Sequence, residues 1–157
     1  MFGASATAPA FKMGDFSFTF YNRKYEYKSG NMAYFENGNS TAMLGTIGRI
    51  KIYFTGDIGN YTGGSKNEIT AAREVGHVDI YKAAHHGFSV RNNYEEAIKN
   101  LTPVYTVITN ALNSGYDKTV DRIKNKELNP YYKGHYVTGN KTVELQIKSD
   151  GTYNFSQ

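Results

Sequence analysis

The first third of the chain alternates apolar and polar residues in the way that β-strands do. Residues 16–20 (FSFTF) alternate strictly and residues 25–27 repeat the pattern, which together predict a β-hairpin. Residues 40–47 and 49–55 predict two further strands that are joined at Gly48. The second of these contains the nearly unbroken apolar run IKIYFT, which is typical of a strand covered on both faces.

Strand and helix patterns alternate in the middle of the chain. Residues 78–84 and 104–109 predict buried strands, and three amphipathic segments predict helices. The helices are expected over residues 65–75, from about residue 93 to residue 102, and from residue 117 to about residue 128. The first two begin with capping boxes, Ser65 with Glu68 and Asn93 with Glu96. Gly76 is expected to end the first helix as its C′ residue.

The tail returns to strand patterns. Residues 136–138, 142–147 and 152–155 predict antiparallel strands, the last two joined by an Asp150-Gly151 turn. The order of elements is therefore strands, then three strand–helix pairs, then strands. This order predicts an α/β fold: a mixed β-sheet with two consecutive βαβ units and flanking antiparallel strands.

Composition narrows the function classes. The 157 residues suit a single α/β domain, expected over residues 12–157, with residues 1–11 as a linker or an edge of the chain. The absence of cysteine excludes disulfide frameworks, thiolate nucleophiles and cysteine-ligated metals. A net charge of +4 is mild, and no apolar run approaches the roughly 20 residues of a membrane span. The polar, tyrosine-rich composition favours a bacterial cell-envelope or extracellular location over a cytoplasmic one.

Polar residues follow three of the predicted strands directly. Asp57 follows the first, His85 and His86 follow the second, and Thr109 and Asn110 follow the third. Ligands of βαβ units bind at the carboxyl ends of the parallel strands. Because one helix connects the first two strands, we expect them to be neighbours roughly 5 Å apart, close enough for Asp57 and a histidine to share a metal ion. The spacing therefore predicts a metal or phosphate site at this edge.

These residues also carry a family resemblance. Residues 53–58 (YFTGDI), a helix, and then residues 79–89 (DIYKAAHHGFS) resemble the second half of a metallo-β-lactamase superfamily domain. The nearest branch contains competence-type DNA-uptake channel and phosphorylcholine esterase metallohydrolases. Its Lys-x-x-His-His-Gly-Ser loop is matched by Lys82, His85, His86, Gly87 and Ser89, with Phe88 inserted, and its upstream Asn-Asn-x-Ser segment resembles residues 37–40.

The resemblance implies a fold, a cofactor and residue roles. The fold would be half of an αββα sandwich, and the activity would be hydrolysis of phosphodiester or related ester bonds with the help of two zinc ions. Asp57 would bridge the metal ions, and one of the two adjacent histidines, His86 in preference to His85, would be a metal ligand. His85, Ser89 and Asn110 would lie on the substrate side, and Asp57, His85 and His86 would form the catalytic group.

Two departures from the family pattern limit this expectation. The first-half signature His-x-His-x-Asp-His is absent, and the two remaining histidines, His77 and His135, are interpreted as structural. Residues 113–117 (NSGYD) replace the family's Asn-x-x-Tyr-Gly-His-Pro segment. The chain is therefore expected to hold half of a dinuclear site, to bind zinc weakly and to be inactive alone.

Three interpretations follow. In the first, the chain is the C-terminal portion of a metal-dependent hydrolase, and its partner is the missing N-terminal half of the domain. In the second, it is a non-catalytic binding module that self-associates, with a second copy covering the apolar sheet face. The third, a nucleic-acid binder, is disfavoured because the lysines are dispersed along the chain and no base-stacking motif is recognisable.

Overall fold

A mixed seven-stranded β-sheet is the central element of the protein in a computed structural model, which describes residues 11–22, 37–60, 66–112, 114–148 and 150–157. The strands are β1 (Phe11–Met13), β2 (Phe16–Tyr21), β3 (Ala42–Ile47), β4 (Ile50–Phe54), β5 (Ile80–Lys82), β6 (Tyr105–Ile108), β7 (Gly134–Val137), β8 (Glu144–Ile147) and β9 (Tyr153–Ser156). The helices are α1 (Asn67–Val75), α2 (Glu95–Leu101) and α3 (Asp117–Lys124). Strands β1 to β7 lie in sequence order across the sheet, while β8 and β9 form a separate hairpin.

The sheet changes from antiparallel to parallel at β4. Each of the strands β1 to β4 pairs antiparallel with the next. Strands β4 to β7 are parallel to one another, and α1, α2 and α3 connect each of them to the next. The predicted α/β class with a mixed sheet is confirmed. There are three consecutive βαβ units rather than the predicted two, because β7 pairs parallel to β6. The antiparallel expectation for residues 136–138 is therefore wrong, since a strand pattern identifies an extended segment but not its direction.

The strand that the sequence predicts to be covered on both faces separates two apolar clusters. Tyr53 of β4 faces the helices and packs in the larger cluster. Ile50 and Ile52 face the other side, where they pack with Ile80 and the apolar residues of the β8–β9 hairpin. Three helices thus cover one face of the sheet, and the predicted terminal hairpin covers part of the other.

The capping box predicted at Asn93 and Glu96 does not form, and Glu68, the described member of the other predicted box, has tertiary partners. Helix α1 begins at Asn67 without a side-chain cap on Lys66, and the Glu68 carboxylate instead accepts hydrogen bonds from the Asn93 backbone N–H (2.6 Å) and the Asn60 side chain (3.1 Å). Helix α2 begins at Glu95 without a side-chain cap, and Glu96 pairs with Arg73 at 2.6 Å. Both glutamates therefore make tertiary contacts that their spacing in the sequence does not predict.

The structure also bears on the predicted end of α1 and on the predicted start of the domain. Gly76 ends α1 with a φ of +69°, as predicted, and its N–H donates to Ala72. The predicted strand at residues 25–27 and the cap residue Ser65 lie outside the described residues. Phe11 belongs to β1, one residue before the expected domain boundary. Within the part of the chain that the structure describes, no helix is long and apolar enough to span a membrane.

Candidate metal centre at the carboxyl edge of the parallel strands

The carboxyl ends of β4 and β5 are neighbours, as their connection by one helix predicts. The register places Phe54 opposite Lys82. Just beyond it, the Thr55 hydroxyl donates to the Lys82 carbonyl at 2.7 Å, and the His85 N–H donates to the Gly56 carbonyl at 3.0 Å. These bonds hold the loop that carries Asp57 against the turn Ala84–Gly87, which carries both histidines.

Asp57 and His86 face each other across this edge. The His86 Nε2 lies 3.9 Å from the Asp57 Oδ1, and both side chains are partly exposed to solvent. The His86 Nδ1 lies 2.8 Å from the Thr109 carbonyl oxygen, at the end of β6. Because a carbonyl can only accept, the proton of a neutral His86 must be on Nδ1. Its Nε2 lone pair is therefore available beside the Asp57 carboxylate.

A different partner favours the same neutral tautomer in His85. Its Nδ1 lies 3.3 Å from the Asn92 Oδ1, and its ring packs edge-on against Phe88 with 5.5 Å between centroids. The Asn92 Nδ2 donates to the Ile58 carbonyl, which leaves Oδ1 as the acceptor for His85. Neutral His85 therefore also carries its proton on Nδ1 and has a lone pair on Nε2.

The histidine turn has an unusual backbone. His85, His86 and Gly87 have φ values of +47°, +56° and +84°, so three consecutive residues are left-handed. A left-handed residue other than glycine costs roughly 1–2 kcal/mol, and such strain persists only where the surroundings fix it. Here the buried Asn93 side chain accepts from the Ala84 N–H and donates to the Ala84 and Phe88 carbonyls, so it holds both ends of the turn.

Lys82 brings a positive charge to the same edge. Its ammonium is 3.4 Å from the Gly56 carbonyl oxygen. Burial lowers the pKa of Lys82, and the nearby Asp57 carboxylate partly opposes this shift. Lys82 belongs to the matched family loop, and the structure places it next to the residue that the resemblance names as a metal ligand.

The two other predicted substrate residues occupy supporting positions. Asn110 is buried, and its amide donates to the carbonyls of His86 (3.3 Å) and Ser114 (2.9 Å), while its Oδ1 accepts from the Leu112 N–H. Asn110 therefore orders the loop after β6 and fixes the His86 backbone. Ser89 is half-buried, and its carbonyl accepts from Arg122 at 3.3 Å.

The remaining histidines lie apart from this edge. His77 precedes β5, where its Nδ1 is 2.9 Å from the Thr102 hydroxyl and its ring contacts Tyr131. His135 is within β7, and its Nδ1 is 2.7 Å from the Tyr132 hydroxyl. Burial lowers the pKa of His135, and Lys124 adds to this shift. Both rings are hydrogen-bonded within the fold.

The Asp57–His86 pair has the chemistry of two metal ligands. With zinc–ligand distances of about 2.0–2.2 Å, two ligand atoms of a tetrahedral site lie about 3.4 Å apart, so the 3.9 Å separation is roughly half an ångström wider than a shared ion would set it. The Nδ1 hydrogen bond to a backbone carbonyl is the arrangement that usually orients a metal-binding histidine. In the described ranges, however, no group of three or more His, Asp or Glu residues is placed to hold a metal.

Sequence reasoning missed Asn92 and Asn93, which hold the turn and the Asp57 loop. It assigned Asn93 to a helix start, whereas its side chain is buried against the histidine turn. The available signal was the pair of adjacent asparagines shortly after the His-His-Gly segment. A buried asparagine pair is typical of backbone that needs side-chain partners.

A scan against models of known protein families finds no match, and a search of curated proteins finds none either. The metallo-β-lactamase resemblance therefore rests on the residues themselves and stays a prediction.

Proposed function

We propose that the chain is the C-terminal portion of a zinc-dependent hydrolase that acts on phosphodiester or related ester bonds. The observation that carries the proposal is the His86 Nε2 lone pair, oriented by the Thr109 carbonyl and lying 3.9 Å from the Asp57 carboxylate. The Asp-loop and His-His-Gly motifs, brought together on neighbouring strand ends, support the same interpretation.

Each residue has a role in this proposal. Asp57 and His86 would hold zinc, which when bound supplies a nucleophilic hydroxide and stabilises negative charge. Lys82 places its ammonium at the same edge, where burial lowers its pKa and the nearby Asp57 carboxylate partly opposes that shift. His85 and Ser89 lie on the turn and the loop that follow β5, where they would contact the substrate. The Asn110 amide donates to the His86 carbonyl and so helps to hold the backbone of that residue in place.

The described ligands are too few for a stable centre. Structural and catalytic zinc sites use three or four protein ligands, and the pair supplies two. The remaining ligands would come from a further polypeptide segment, in the family the first half of the domain. Little or no hydrolysis of bis-(p-nitrophenyl) phosphate is therefore expected from this chain alone, and robust turnover would contradict the half-site.

Zinc titration of tag-free protein tests the pair directly. We expect weak binding by isothermal titration calorimetry, and His86→Gln should weaken it at least about tenfold, the loss that removing even a supporting partner of a ligand produces. His77→Gln is the matched control, because it removes an exposed histidine that precedes β5. Equal affinity in wild type and His86→Gln would contradict the proposed centre.

A second candidate function, self-association, is favoured by an aromatic patch on the sheet face opposite the helices. The patch consists of Phe11, Met13, Phe16, Phe18, Phe20 and Phe54, which the strand register places on one face. Phe11 and Met13 are 46 % and 65 % exposed, and Phe11 stacks on Phe18 at 4.9 Å. A second copy would present the same apolar surface, and such patches mark interaction sites.

Light scattering tests this candidate. At tens of micromolar we expect the wild type to be a dimer and Phe11→Ser/Met13→Ser to be a monomer, because the double variant removes the most exposed part of the aromatic patch. Val90→Ser, which changes a residue that is 81 % exposed outside the patch, should remain a dimer. A monomeric wild type would rule out self-association.

A further inference from the structure

One side chain touches both loops of the candidate centre. Asn92 is 2 % exposed and lies between the loop after β4 and the histidine turn after β5. Its Nδ2 donates to the carbonyls of Ile58 (2.6 Å) and Asp57 (3.3 Å), and its Oδ1 faces the His85 Nδ1 at 3.3 Å. The nitrogen end of this amide group thus contacts the Asp57 loop, and its oxygen end contacts the histidine turn.

The orientation of this amide is fixed by its partners. Two carbonyl oxygens face one end of the group, and carbonyls accept hydrogen bonds without donating them, so that end must be the NH₂. The other end is then an oxygen, and it accepts a hydrogen bond from the His85 Nδ1 when that nitrogen carries the proton. The same amide group therefore contacts the Asp57 loop and favours one neutral tautomer of His85.

The backbone of Asn92 is itself held in place. Arg122 of α3 donates to the carbonyls of Asn92 (3.3 Å) and Asn93 (2.9 Å), and the Asn93 N–H donates to the buried Glu68. These bonds restrain the segment from two helices. The Asn92 side chain is thus presented to the two loops from a rigid support, which is the requirement for accurate placement of reacting groups.

We propose that Asn92 is a positioning residue of the candidate centre: its amide fixes the separation of the Asp57 and His85 loops and selects the Nδ1-protonated form of His85. The role of the centre rests on the proposed function, whereas the effect of Asn92 on His85 does not. An imidazole without a partner at Nδ1 exchanges between its two neutral forms, and Asn92 prevents this in His85.

Histidine-ring NMR on the metal-free chain tests the proposal. At pH 8.5, about two units above the usual histidine pKa of roughly 6.5, long-range ¹H–¹⁵N spectra identify which ring nitrogen carries the proton. In the wild type we expect the proton on Nδ1 in both His85 and His86. In Asn92→Ala, His85 should lose this single form, while His86 should keep it because its acceptor is the Thr109 backbone.

A second variant separates the two parts of the role. Asn92→Asp keeps an acceptor for His85 but loses both N–H donors to the Asp57 loop. His85 should then keep its Nδ1 proton, while the amide signals of residues 57–59 should shift. Asn100→Ala is the matched control, because the Asn100 amide donates to a backbone carbonyl, that of Glu96, within α2 and away from both loops. It should leave His85 and residues 57–59 unchanged.

Several outcomes would overturn the proposal. They are an Nε2 proton on wild-type His85, an unchanged His85 signal in Asn92→Ala, or wild-type amide signals for residues 57–59 in Asn92→Asp. If the alanine variant does not fold, the wild type and the aspartate variant decide between these outcomes. A zinc titration run in parallel tests the proposed function separately, since none of the NMR measurements involves metal.

Discussion

Replacing Gly87 with alanine is expected to lower the free energy of unfolding by about 2–5 kcal/mol. Two effects add. Gly87 has a φ of +84°, which costs an alanine roughly 1–2 kcal/mol. A Cβ would also lie 2.7 Å from the Cγ2 of the fully buried Ile108 and 3.1 Å from the Cβ of Tyr116, and overpacking of this kind costs roughly 1–3 kcal/mol.

Gly151→Ala provides the matched control for this measurement. Gly151 has nearly the same φ, +81°, but a Cβ there would have nothing within 4 Å. Urea denaturation of both variants should therefore show a larger loss for Gly87→Ala, with the difference reporting the contact with Ile108. Equal losses would mean that the histidine turn can move away from β6, and that its geometry is not fixed by packing.

Stability is expected to fall as the pH rises from about 4.5 to about 8 because of Glu68. This side chain is fully buried, and burial raises its pKa from 4.5 to about 8, although hydrogen bonds from the Asn93 and Tyr94 backbones and the charge of Arg122 oppose the shift. In this window the folded protein keeps a proton that the unfolded chain has released. The stabilisation that comes from this proton on Glu68 is therefore complete below pH 4.5 and is lost as the pH approaches 8.

The size of this effect can be read from the difference between wild type and Glu68→Gln. A shifted pKa changes stability by up to about 1.4 kcal/mol per pH unit, so a total of a few kcal/mol is expected across the window. Chemical denaturation at a series of pH values should show the wild type falling relative to Glu68→Gln. The exposed Glu96→Gln should follow the wild type. Parallel curves for wild type and Glu68→Gln would show that Glu68 ionises in the fold without cost.

The sequence predicts where the candidate site lies, but it does not predict the hydrogen bonds that orient the site residues. The proximity of Asp57 and His86 follows from two facts: each comes directly after a strand, and one helix connects the two strands. Topology alone brings such residues together. The Nδ1 hydrogen bond of His86 to Thr109 does not follow in this way, because it depends on the left-handed turn that tilts the ring toward β6.

Local patterns failed where burial outweighed them. Asn93 and Glu96 have the spacing of a capping box, but the Asn93 side chain is buried against the histidine turn and Glu96 pairs with Arg73. The sequence pattern also does not determine the direction of β7, since antiparallel and parallel strands can share the same alternation of residues. Asn92 was missed because its two partners in the Asp57 loop lie 34 and 35 residues earlier in the chain, and no periodic pattern marks such a contact.

These long separations also bear on when the site forms during folding. The link from Asn92 to the Asp57 loop spans 35 residues, and the link from His86 to Thr109 spans 23. Closing such loops costs chain entropy that the assembled sheet and helices offset, so we expect these contacts to form late. The unfolded chain accordingly has no counterpart of the site, and any ligand that binds there shifts the folding equilibrium toward the native state.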